Sequence, residues 1–217
     1  PETMSDFEPR SVAEPAEAAA EASTRKRPKP GERRIQILQA LAAMLEQPGG
    51  ERITTAALAA RLGVSEAALY RHFASKAQMF EGLIEFIEQS VFSLINQITT
   101  ASSGDGQRQL ARIVVMLLQF GEKNPGMARV MVGDALVFED DRLQQRMNLF
   151  FDKIEAALRQ VLRDSAAERN SATPGADAQV LASVLTAFAM GRLQRFARSG
   201  FRRVPTESLD AALGRLL

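Results

Sequence analysis

The chain has 217 residues, of which 46% are hydrophobic and 24% are charged, and its formal net charge is +1 at pH 7. It has no cysteine, which excludes disulfides, thiolate nucleophiles and cysteine-bound zinc or iron–sulfur sites. Its single histidine is His72, so a metal site would need carboxylates and a Ser-His mechanism would have to use that residue. The composition therefore argues against most catalysis, predicts neither a cofactor nor a metal, and favours binding or regulation.

Neither membrane insertion nor secretion is indicated by the sequence. The longest unbroken apolar runs, among them Ile113 to Leu118, are far shorter than the roughly 20 residues that a spanning helix needs. The first residues lack the apolar segment of a secretory signal. We therefore expect a cytoplasmic protein.

The small net charge conceals an uneven distribution along the chain. Residues 1–24 carry a net charge of −5, residues 25–80 carry +6, and the remainder is neutral. A basic segment beside a neutral one indicates an anionic partner for the N-terminal third, although a solvated basic face would give the same charge count.

Apolar periodicity begins only after the first 30 residues. Residues 1–30 are rich in Ala, Glu, Pro and Ser, which predicts a disordered tail ending in a basic arm. From Gly31 onward, apolar residues recur at spacings of three and four, which predicts an all-α fold of about nine helices. The expected helices span 32–47, 55–62, 66–73, 76–99, 107–123, 126–133, 140–164, 177–199 and a stretch after Thr206, with loops at 102–106 and 165–176. The buried face expected of the first helix consists of Ile35, Leu38, Ala42 and Leu45, and that of the long fourth helix of Phe80, Leu83, Ile84, Ile87, Val91 and Ile95.

Residues 53–73 have the pattern of two short helices joined by a tight turn. Thr54 is expected to cap the first helix, Gly63 to end it in the left-handed conformation, and Ser65 to cap the second. The residues expected to pack these helices against their neighbours are Ala57, Leu58, Leu62, Val64, Leu69 and Phe73. The pattern is that of a helix-turn-helix whose second helix enters the DNA major groove.

The side chains left on the outer face suit contact with DNA. Ala67 and Ala68 are small enough to let the backbone approach base edges, and Arg71 is a long donor that can reach a guanine. The hydroxyl, imidazole and ammonium groups nearby suit phosphate oxygens, which fix register rather than sequence. The predicted DNA-binding residues are Thr54, Thr55, Ser65, Ala67, Ala68, Tyr70, Arg71, His72 and Lys76.

Other roles remain open for some of these residues. His72 would also fit as a structural histidine or, in an enzyme, as a catalytic base, and Tyr70 as a core aromatic. The basic arm of residues 25–34 is expected to lie along the DNA backbone or in a minor groove.

The run Tyr70-Arg71-His72-Phe73, followed by Lys76, resembles the TetR family of bacterial regulators. In that family a Tyr-X-His-Phe run ends the recognition helix and a lysine opens the next helix. The resemblance implies a DNA-binding head over residues 31–77 and a helical dimerisation domain, here called the body, over residues 78–217.

Further blocks, at residues 52–56, 83–88 and 120–126, resemble a branch of this family that acts in nucleoid occlusion. The resemblance implies a homodimer that binds palindromic chromosomal sites and, on DNA, antagonises assembly of the division protein FtsZ over the nucleoid. The C-terminal tail of FtsZ would then dock between helices 76–99 and 107–123. Phe86 and Asn124 match the branch pattern for this surface, and Lys123 keeps the charge where the branch has another basic residue. With Met116 they are the predicted contacts of the tail, whereas Leu94 departs from the branch pattern by lacking a basic side chain. Without the resemblance, the apolar members of this set fit an ordinary core.

The two long helices near the C-terminus are expected to form the dimer. The apolar face of helix 177–199 consists of Val180, Leu181, Val184, Leu185, Phe188 and Phe196, and Gly191 permits close approach. Packing within one chain would also account for this face. Two other functions stay open: a ligand-responsive TetR-type repressor with no division role, and an enzyme that uses His72.

Overall fold

The structure, a computed structural model, describes residue 29 and residues 31–47, 52–101, 105–168 and 172–217. Over these residues the chain forms nine α-helices, one 3-10 helix and no strand, which confirms the predicted all-α fold. The helices are α1 (Glu32–Leu45), α2 (Thr55–Leu62), α3 (Glu66–Tyr70), α4 (Lys76–Ala101), α5 (Gly106–Lys123), α6 (Pro125–Met131), α7 (Asp141–Glu168), α8 (Pro174–Arg198) and α9 (Leu209–Leu216), with a 3-10 helix at Asp134–Leu136. The predicted tail, apart from residue 29, lies outside the described residues, as does half of the basic arm of residues 25–34.

The predicted loop at 165–176 is wrong at both ends. Helix α7 continues to Glu168, and α8 begins already at Pro174. The side chain of Ser165, near the end of α7, is buried and lies so close to Gly106 that a Cβ there would collide with it. The end of α7 therefore packs closely against the start of α5. Proline is favoured in the first turn of a helix because the amide that it lacks has no partner there. The spacing of apolar residues shows neither the contact between Ser165 and Gly106 nor the preference for proline at the start of α8.

Two predicted buried faces also need correction. Ile35 is 57% exposed, and α1 packs through Ile37 and Leu41, which were not in the predicted face, together with the predicted Leu45. Apolar residues occur almost all around α1, so spacing alone does not choose between two adjacent stripes. In α2 the predicted packing residue Ala57 is exposed, and Leu58 and Ala59 are buried.

The core lies between α4, α5, α7 and α8. The stripe predicted for α4, from Phe80 to Ile95, is buried along its full length. Burying one such side chain contributes about 1.5–3 kcal/mol. Across one edge of this core, the Arg146 guanidinium makes two hydrogen bonds to the Glu88 carboxylate, at 3.2 and 2.9 Å, which join α7 to α4. These bonds raise the pKa of Arg146 above its usual value.

The head joins the body through α1 and α6. Gly126 lies against the backbone carbonyl of Ala42, in a space that any Cβ would fill. The Arg129 guanidinium donates to the Leu45 carbonyl at 3.0 Å, at the end of α1. Glycine at this crossing lets the two helix backbones approach closely.

The apolar face predicted for α8 divides into two. Leu185 and Phe196 point into the core, whereas Val180 is 66% exposed and Val184 lies on the same outer stripe. A Cβ on Gly191 would meet no atom within 4 Å. The outer stripe is therefore available to a second copy of the chain. No helix in the described part of the chain is long and apolar enough to cross a membrane.

Candidate nucleic-acid interface

The two short helices of the head are closed by the caps that the sequence predicts. The Thr54 hydroxyl accepts a hydrogen bond from the Ala57 amide at 3.1 Å, and the Ser65 hydroxyl accepts one from the Ala68 amide at 3.2 Å. Gly63 has a φ of 64°, in the left-handed region. With Gly63 in that conformation, the next amide can reach back across the end of α2, as in a Schellman motif. The turn between α2 and α3 is thus fixed by local chemistry.

Helix α3 ends at Tyr70, so the predicted span of 66–73 is too long. The amides of His72 and Phe73 both donate to the Leu69 carbonyl, which tightens the last turn and ends the helix. Leu69 and Phe73 are buried as predicted. The surface predicted to face DNA consequently combines a short helix with the turn that follows it.

Most of the residues predicted to contact DNA are brought together on one face. Ala67 and Arg71 are exposed, Ala68 and His72 are half-buried, and Tyr70 is 45% exposed. The exposure of Tyr70 contradicts the alternative in which it lies in the core. A groove of about 410 Å3 runs beside this face, and its basic lining residues are Lys29, Arg33, Arg71 and His72.

Two predicted phosphate contacts are engaged within the protein. The Thr55 hydroxyl donates to the Glu66 carboxylate at 2.7 Å, which ties α2 to α3. The Lys76 ammonium donates to the Glu139 carboxylate at 2.6 Å, and Arg52 lies 3.6 Å from the same carboxylate oxygen. Glu139 follows the 3-10 helix of the body, so this contact couples the body to the head.

Neither the contact of Glu139 nor the role of Arg34 is predictable from the sequence. The Glu139 side chain is only 7% exposed, yet no local pattern pairs it with a lysine 63 residues away. Arg34 was placed in the DNA-contacting arm. Instead, its guanidinium donates to the His72 carbonyl and lies 4.1 Å from the centroid of the Phe73 ring. The basic residue at the start of α1 thereby holds the end of residues 66–73, the predicted recognition segment.

A second surface gathers the positions expected to hold a partner. Phe86 on α4 is 48% exposed, and its ring centroid lies 6.4 Å from that of Phe120 on α5. The Asn124 side-chain amide donates to the Phe120 carbonyl at 2.8 Å. Met116 is half-buried and Lys123 is exposed. The exposure of Phe86 contradicts the interpretation of this residue as ordinary core.

Two family models match the chain, one over most of the head and the start of α4, and the other over most of the body. Residues 37–83 match the model for bacterial regulatory proteins of the tetR family. Residues 105–216 match the model for the tetracyclin repressor-like C-terminal domain of SlmA-like proteins. Among the residues that the structure describes, no group of three or more His, Cys, Asp or Glu side chains could hold a metal ion.

Full-length relatives extend this match. The nucleoid occlusion factor SlmA of Idiomarina loihiensis is 53% identical over 82% of this chain and 90% of its own length. That of Citrobacter koseri is 52% identical over 88% of this chain and 94% of its own length. The MbdR regulator of Azoarcus sp. CIB has the same fold, with a TM-score of 0.69 and 19% identity over 84% of this chain and 96% of that chain. These relatives are regulators and nucleoid occlusion factors rather than enzymes. The chain belongs to the TetR family of DNA-binding proteins and, within it, to the SlmA group of nucleoid occlusion factors.

Proposed function

We propose that two copies of the chain pair through the outer stripe of α8 and bind a palindromic chromosomal site through α3. While bound to DNA, the dimer holds the C-terminal tail of FtsZ on the surface between α4 and α5. Occupation of that tail antagonises FtsZ assembly over the nucleoid. The protein would therefore act on the nucleoid, where its sites lie.

The exposed ring of Phe86 is the observation that carries the partner part of this proposal. A large exposed aromatic side chain next to the half-buried Phe120 is an apolar surface on which a side chain of a peptide can pack. Lys123 adds a cation at the edge of this surface, and Asn124 is held in place by its bond to the Phe120 carbonyl. An apolar anchor of the tail would pack on the rings, and an acidic group would lie near the lysine.

The DNA-binding part rests on the capped turn and on the face beyond it. The caps at Thr54 and Ser65 fix where α2 and α3 begin and so hold the turn between the two helices. Arg71 is exposed and supplies a donor for guanine, while the small side chains of Ala67 and Ala68 let the backbone approach the base edges. Each half-site binds one head, so the dimer supplies the affinity that a single head lacks.

The test measures FtsZ polymerisation by sedimentation, with the protein added alone and with its DNA site. Wild-type protein on DNA is expected to reduce the polymer, and Phe86→Ala to bind DNA normally but leave the polymer intact. The matched control is Phe138→Ala, which removes the same side chain from a different surface, where it is 72% exposed. This control should behave as wild type.

If DNA-bound wild-type protein leaves FtsZ polymers unchanged, the division role is wrong. The ligand-responsive repressor then becomes the better hypothesis. A cleft of about 420 Å3 between α4, α5 and α7, lined in part by Asn96, Gln109 and Gln160, is where a ligand would be sought.

A further inference from the structure

The end of α8 and the turn after it carry a concentrated positive charge. Between Gly191 and Val204 the sequence has five arginines and no acidic residue. The five are Arg192, Arg195, Arg198, Arg202 and Arg203. The DNA-binding role assigned to the head uses none of them.

The turn that displays the last two arginines is held in one shape. Gly200 and Phe201 both have positive φ, 63° and 65°, and an aromatic residue adopts that region only at a cost in energy. The Ser199 hydroxyl accepts hydrogen bonds from the backbone amides of Arg202, at 3.1 Å, and Arg203, at 2.8 Å. The Phe201 ring lies 5.2 Å from that of Phe196 in α8, so packing offsets the strained backbone.

The arginines of this segment divide into those that serve the fold and those that do not. Arg192 donates to the Glu207 carbonyl at 2.6 Å and lies over the Phe188 ring, so it anchors the segment that leads to α9. By contrast, Arg198 and Arg203 are exposed. Their side chains make no hydrogen bond or ion pair with any residue that the structure describes. Neighbouring cations without counter-charges favour an anionic partner, and guanidinium groups fit phosphate well.

This turn lies at the end of the body that adjoins the head. Leu193 packs against Gly121 at the end of α5, and the Thr206 hydroxyl donates to the Glu122 carboxylate at 2.6 Å. Helix α6, which follows α5, packs against both α8 and α1 of the head. The opposite end of the body is marked by Gln107, which donates to the Leu217 carbonyl. The arginine turn therefore lies at the end of the body that is nearer to the head.

We propose that Arg198 and Arg203 contact the DNA phosphate backbone, as a second and sequence-independent site beside the one formed by α3. Duplex DNA bound to the head would lie next to this end of the body, and its phosphates have the high density of negative charge that the arginines favour. The contact would release counterions and raise affinity equally for every sequence, without changing which site α3 selects. It rests on the DNA binding proposed above and adds a surface that the helix-turn-helix does not include.

The test compares two double variants of the full chain. Arg198→Gln with Arg203→Gln removes the proposed contacts. The matched control, Arg163→Gln with Arg215→Gln, removes the same charge from exposed positions on α7 and α9, which end at the opposite side of the body. Binding is measured by fluorescence anisotropy over a range of salt concentrations. The probes are a random-sequence duplex and a tight-binding site selected from genomic DNA.

We expect the variant with Arg198→Gln and Arg203→Gln to bind both duplexes about tenfold or more weakly than wild type near physiological salt. The slope of log affinity against log salt should become shallower by about one for each lost contact. The control should keep the wild-type slope. Sedimentation should show dimers in every case.

An unchanged slope and affinity for the first variant would overturn the second site, even if Arg71→Ala still abolished sequence discrimination by α3. Dissociation into monomers would also overturn it, because the arginines would then serve the subunit interface. A loss confined to the selected site, with random DNA bound normally, would show that the contact is not sequence-independent.

Discussion

The head and the body are stabilised by contacts that differ in sequence separation. In the head, the hydroxyls of Thr54 and Ser65 each accept a hydrogen bond from an amide three residues later. In the body, Arg146 bonds to Glu88, 58 residues away. The head's turn is therefore a local structure, whereas the body depends on packing between distant segments. Loss of a single cap should cost little, and loss of a packed side chain should cost much.

The largest effect is expected where local and distant contacts meet, at Phe73. Its side chain is buried at the end of the recognition segment, beneath the guanidinium of Arg34. Phe73→Ala should lower the free energy of unfolding by about 3–5 kcal/mol, because it leaves a large cavity. Urea denaturation followed by circular dichroism measures this change. Phe138→Ala, which removes an exposed ring, should change it by less than about 0.5 kcal/mol. Equal effects of the two substitutions would mean that Phe73 is not packed as described.

The junction between head and body is expected to be next in sensitivity. Gly126→Ala would push a methyl group into the Ala42 carbonyl and should cost about 1–3 kcal/mol, since a backbone atom cannot turn aside. Thermal unfolding gives the comparison with Gly214→Ala, whose new methyl group would meet no atom within 4 Å. That control replaces a glycine within α9 and should stabilise the chain by about 0.5–1 kcal/mol. A tolerated Gly126→Ala would show that α1 and α6 are not in close contact.

The Lys76–Glu139 ion pair tests whether the body restrains the head. Glu139→Gln keeps the shape of the side chain but frees Lys76 and Arg52 for phosphate, so DNA affinity should rise by roughly three- to tenfold, more at low salt. Fluorescence anisotropy with a labelled duplex measures the DNA affinity. Glu88→Gln removes an equivalent charge that pairs with Arg146 within the body, and it should leave DNA affinity unchanged. Equal affinities for wild type and Glu139→Gln would make this ion pair purely structural.

The same contrast explains what the sequence could predict. Caps and turns depend on residues a few positions apart, so Thr54, Gly63 and Ser65 were assigned correctly from their types and spacing. The buried stripe of α4 was also predicted, because its periodicity is regular over several turns. The choice of buried face in α1 failed at Ile35, where apolar residues occur on nearly every side.

The other features that the sequence did not predict depend on tertiary contacts. Nothing near Glu139 in the sequence indicates that it pairs with Lys76, and nothing near Arg34 indicates that it holds the end of α3. The spacing of Phe86 on α4 fits both a core and a surface position, so only the resemblance favoured the exposed position that the structure shows. The roles of these residues in binding DNA and FtsZ are predictions from residue type and from the resemblance, and the variants described here test them.

The smallest expected effect separates two roles of one side chain, because Thr54 is both a helix cap and a predicted phosphate contact. Thr54→Ala should lower the free energy of unfolding by about 1 kcal/mol and weaken DNA binding. Thr54→Asp should restore stability, since aspartate is an effective cap, but should weaken DNA binding further, since its charge repels phosphate. Thr54→Ser, which keeps the hydroxyl, should match wild type in both urea denaturation and anisotropy. If Thr54→Asp instead bound DNA as well as wild type, the threonine would act on DNA only through the cap, and the head's contact with phosphate would have to come from other residues.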